Sequence, residues 1–167
     1  MQLDSTLSLP ARYVVGIDLG TTNCAVCYVD TEHDSAKIRT FLVPQLVAAE
    51  LQESRETLPS FHYQPSDEEF VEQVPKRRKT GSKKGGRYLV GAFARDHGAK
   101  VPGRLITSAK SWLSHSGVDR TAPLLPWLGA EEVEKLSPVE VSSRYLEHIR
   151  TVWDAAHPKH QIGRAHV

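Results

Sequence analysis

The chain has 167 residues, of which 40% are hydrophobic and 25% charged, with a formal net charge of +1. That is the length of one ordinary domain, and the near-neutral balance argues against a nucleic-acid binder. No run approaches the roughly 18 apolar residues of a transmembrane helix, and MQLDSTLSLPARY lacks the basic start and apolar core of a signal peptide. The cytoplasm is the expected location, with no membrane partner.

In chain order, residues 1–12 read as a disordered leader ended by Pro10. Two β-rich runs, 14–18 and 24–29, flank the turn 19–23 and predict a β-hairpin. Cys24 and Cys27 share the second run. On a strand they point to opposite faces and do not bridge, so they read as structural thiols. A third strand is expected at 38–43, a short helix at 47–53 within QLVAAELQESRE, and a strand at 61–64. Residues 65–87 turn from acidic to basic and glycine-containing, which predicts a solvated insertion or hairpin tip. No aromatics interleave its cations, as base stacking requires. Gly81 and Gly86 have the first spacing of a P-loop, but Arg87 and Tyr88 stand where that loop needs Lys and Ser or Thr.

A strand at 88–90 is expected to enter a helix beginning in GAFARDHGAK, and a second short helix is expected at 108–114. Residues 130–136 are charged and read as exposed. SPVE then marks a helix start: Ser137 caps, Pro138 takes the first helical position and Glu140 completes a capping box. Val141, Tyr145, Ile149 and Trp153 recur every four residues, broadened by Leu146 and Ala156, and the helix is expected to end near His157-Pro158. His62, His97, His115 and His148 show no ligand spacing and read as surface or half-buried side chains.

The turn carries the chemistry. Gly20 permits close approach of a ligand to the backbone. The amides of Gly20, Thr21 and Thr22 can converge on an anion, and the two hydroxyls can donate to phosphate oxygens. Asp18, at the end of the first strand, can hold Mg²⁺ directly or through water. Acid, glycine and hydroxyls together read as a magnesium–phosphate site. The competing reading is an ordinary turn whose threonines make local hydrogen bonds.

GIDLGTTNCAVCYVD resembles the first phosphate motif of the actin, sugar-kinase and heat-shock-70 ATPase superfamily, and is most similar to heat-shock-70 (DnaK-like) chaperones. LPSFHYQ (58–64), residues 88–114 and SPVEVSSRYLEHI (137–149) resemble later segments of the same family. The resemblance spans about residues 13–160. It implies an α/β fold: a partial first lobe of an actin-like ATPase domain over 13–157, with a mixed sheet opening on a β-hairpin.

The resemblance also implies ATP or ADP with Mg²⁺ as cofactors. Asp18 would organise the metal, and Gly20, Thr21, Thr22 and Asn23 would hold the nucleotide. Thr21 would face the γ-phosphate during attack by water. The family's lysine in Gly-x-Ala-Ala-Lys is matched by Arg95, which keeps the charge but has a planar, always-protonated head. Ala92 replaces an acidic residue common there. Lys110 reads as a structural or surface lysine, and Trp112 as packing.

The implied function is an ATP-binding, ATP-hydrolysing chaperone whose clients and co-chaperones bind through other domains. The alternatives are a sugar-kinase-branch phosphotransferase and a noncatalytic nucleotide-binding module. Family nucleotide domains are more than twice as long, and AAHPKHQ runs into IGRAHV rather than the expected strand. Residues 158–167 are therefore expected to be a truncated tail, and the piece alone is expected to be inactive.

Overall fold

The computed structural model describes residues 11–33, 37–69 and 87–163. Most of the expected leader, the basic part of the 65–87 insertion and the end of the tail lie outside these residues.

The hairpin forms as its pattern demands. Strands β1 (Tyr13–Leu19) and β2 (Asn23–Asp30) pair antiparallel from Tyr13↔Asp30 to Leu19↔Cys24. The period-2 alternation turns Cys24 and Val26 into the core and leaves Cys27 exposed. Both thiols are free, as the strand geometry predicts.

The far edge of β2 is divided between two short partners. Strand β3 (Arg39–Thr40) takes Cys27 and Tyr28, while β6 (Thr57–Pro59) takes Asn23, Cys24 and Ala25. Between them in the chain, β4 (Val43–Ala48) and β5 (Leu51–Arg55) pair with each other as a separate hairpin. A third sheet runs β8-β7-β9, from Leu89–Val90, Phe61–Tyr63 and Leu105–Thr107.

The expected mixed sheet of an actin-like first lobe is therefore corrected. A mixed sheet needs a parallel pair reached by a long crossover, and every strand pairing among the described residues is antiparallel. With the β2 edge split in two, no continuous neighbour extends the first sheet. The architecture is a small mixed α/β fold with three separate, unclosed sheets.

The helix expected at 47–53 is also corrected. The chain reverses at Glu50, which takes a left-handed φ of 60°, and returns as β5. Local helix propensity yields here to packing: Val43 and Leu46 are buried, and the fully buried Gln45 joins three elements. Its amide donates to Thr57 O at 2.8 Å, and its Oε1 accepts from Ala92 N at 3.0 Å, capping helix α1 (Ala92–Gly98). Gly91 makes that approach possible. Its φ is 92°, and a Cβ there would meet Leu58 Cδ1 at 2.6 Å.

Helix α2 (Ala109–Leu113) packs on α3 (Pro138–Ala156). The capping box forms as read, with Glu140 N donating to Ser137 Oγ and Ser137 N to Glu140 Oε2. Val141, Tyr145, Ile149 and Trp153 are buried, while Leu146 and Ala156 face solvent; Ser142, Arg144, His148 and Val152 widen the buried face instead. Trp153 meets Tyr13, Tyr28 and Phe41 at ring separations of 5.1–5.6 Å. Removing so large a buried aromatic typically costs about 3–5 kcal/mol. The stretch 130–136 is not uniformly exposed: Val133 and Leu136 are buried, and Leu136 bridges to Leu125.

Candidate functional site

The hairpin tip, Gly20 to Asn23, is drawn tight against itself. A Cβ on Gly20 would lie 2.1 Å from Asn23 O, a distance no side chain tolerates. Here glycine serves the turn's own closure rather than the approach of a ligand. Ser60, just after β6, closes the tip from behind. Its Oγ donates to Gly20 O at 2.8 Å, and its amide donates to Thr22 O at 2.8 Å.

Cys24 Sγ lies 3.3 Å from Ser60 Oγ. Burial pushes the Cys24 thiol up from its ordinary value.

Thr21, Thr22 and Asn23 are exposed. No hydrogen bond from the amides or hydroxyls of Thr21 and Thr22 is found among the described residues, so the threonines are not spent on local bonds. Asp18 is likewise exposed, with no hydrogen bond or ion pair among them. A free carboxylate of this kind suits a hydrated magnesium ion.

Among the lesser influences on the Cys24 thiol, Asp18 raises its pKa and Lys110 lowers it. Lys110 sits on α2, whose first residue, Ala109, is fully buried. Lys110 itself is exposed, in keeping with its reading as a surface lysine.

Arg95 is placed differently. Its Nε lies 2.7 Å from Asp96 Oδ1, and that contact raises the guanidinium's affinity for its proton while lowering that of the Asp96 carboxyl. Its helix α1 packs chiefly on β4, β7 and β8. The structure therefore brings Asp18, Gly20, Thr21, Thr22 and Asn23 together and leaves Arg95 in an exposed ion pair.

Among the described residues, no group of three His, Cys, Asp or Glu side chains is arranged to hold a metal. The histidines are not uniformly peripheral. His62 is fully buried, its Nε2 2.9 Å from Arg144 Nη1 and its ring stacked on Tyr88 at 5.2 Å. Because Arg144 must donate, His62 Nε2 accepts and the ring is neutral. Burial, then the Arg144 charge, pushes its pKa down to about 3.

No protein-family model matches this chain, and no curated protein matches it. With the actin-like fold overturned as well, the labels ATP-binding heat-shock-70-like chaperone and actin-like ATPase are withdrawn as descriptions of the chain. What remains is the chemistry of the tip. No helix among the described residues is long and apolar enough to cross a membrane.

Proposed function

We propose that the β1–β2 tip binds the phosphates of a magnesium-carried nucleotide, with ATP as the working ligand. The observation that carries this reading is the pair of exposed threonines without internal hydrogen-bond partners among the described residues, beside an equally unengaged Asp18. Thr21 and Thr22 supply donors to phosphate oxygens, and Asp18 holds the magnesium water shell. Arg95, paired with Asp96 on α1, takes no part in the site. The bound metal would bridge and neutralise phosphate oxygens.

Titration with Mg-ATP, followed by backbone amide shifts, tests the proposal. The expected outcome is saturable movement at residues 20–23 that weakens without magnesium and in Asp18→Asn. Arg95→Ala should leave binding unchanged. Unmoved tip amides at millimolar Mg-ATP would refute the reading.

A further inference from the structure

Ser60 is nearly inaccessible, yet each of its hydrogen-bonding groups is engaged. Its hydroxyl donates to Gly20 O and its amide to Thr22 O, both at 2.8 Å. Its carbonyl accepts from Tyr145 Oη at 3.1 Å, and Tyr145 is buried on α3. Since the Ser60 hydroxyl proton is committed to Gly20 O, the oxygen's lone pairs face Cys24, whose thiol donates. The burial that keeps Cys24 protonated keeps it a donor.

Peptide geometry turns these bonds into a direction. In a trans peptide the carbonyl of one residue and the amide of the next point opposite ways. Drawing Gly20 O onto the Ser60 hydroxyl therefore turns the Thr21 amide away from Ser60. Drawing Thr22 O onto the Ser60 amide turns the Asn23 amide the other way, across the tip toward Gly20. One serine, braced from α3, thus sets the direction of the Thr21 amide and anchors the strand beside it.

We propose that Ser60 is a positioning residue for the tip, holding the Thr21 amide outward toward a phosphate through a strut that ends on Tyr145. Its place in a phosphate site rests on the function proposed above. Its place as the strut rests on the hydrogen bonds alone. Ser60 touches no ligand in this account. Its effect reaches the ligand only through the backbone of the tip.

The experiment measures two things in the full chain. The first is the ¹⁵N order parameter of Thr21 without ligand. The second is the affinity for Mg-ATP. Ser60→Ala should lower that order parameter from the rigid range of about 0.85 toward about 0.6, with those of α3 unchanged. It should also weaken Mg-ATP about tenfold, the effect of one lost hydrogen bond.

Ser60→Thr, which keeps the hydroxyl, should restore both readings. Tyr145→Phe, which deletes only the brace, should move both in the same direction by a smaller amount, and it decides the matter if Ser60→Ala does not fold. Unchanged order in Ser60→Ala overturns the strut, and a loosened amide with unchanged affinity overturns its positioning role. If the wild-type chain does not bind Mg-ATP, the phosphate reading fails, and the order parameter alone decides whether Ser60 holds the tip.

Discussion

Lowering the pH should destabilise the protein through His62 well before its carboxylates protonate. In the folded chain His62 is fully buried and held neutral, with its pKa near 3 against an ordinary 6.5. Between those values the unfolded chain binds a proton that the folded chain refuses, so stability falls as pH falls. Each pH unit inside the window is worth at most about 1.4 kcal/mol. Integrating from about pH 7 to about pH 5 gives a loss of roughly 2 kcal/mol, a large share of an ordinary domain's stability.

Urea unfolding across that range measures the loss. His62→Gln supplies the reference, because its amide oxygen can accept from Arg144 without titrating. The wild-type chain should lose about 2 kcal/mol relative to the variant between those two pH values. Glu69, Asp30 and Glu140 have lowered pKa values and lose their contributions only at lower pH, and the subtraction removes them. A wild-type-minus-variant difference that stays flat with pH would refute the burial of a neutral His62. So would a difference that grows in the wild type's favour on acidification.

Two further outcomes follow from the geometry. Ser137→Ala removes the hydroxyl that accepts from Glu140 N, and should cost about 1 kcal/mol in urea unfolding with an unchanged m-value. Cys27 should react with a thiol reagent in the folded chain, whereas Cys24 should react only at the rate of opening. Two equally fast thiols would contradict the register of β1 on β2.

The elements legible in the sequence were those whose signals are local. The hairpin, the capped helix at Ser137 and the Val141–Trp153 repeat follow from side-chain periodicity and from hydrogen bonds made within three residues. The stretch 47–53 was not legible, because good helix formers there are overruled by the burial of Val43, Gln45 and Leu46. His62 looked ordinary because its burial depends on Arg144, 82 residues away.

The candidate site divides along the same line. By itself the sequence determined that Asp18, Gly20, Thr21 and Thr22 lie at one hairpin tip, since a two-strand turn is a local object. Tertiary structure alone decided what surrounds that tip. Ser60 reaches it from 40 residues away, and Tyr145 braces Ser60 across 85. Arg95, matched in the sequence to a phosphate-side lysine, is instead paired with Asp96 on α1. Sheet membership was also beyond the sequence. It depends on how two short strands share one edge of β2, and that competition is settled by packing over the whole fold.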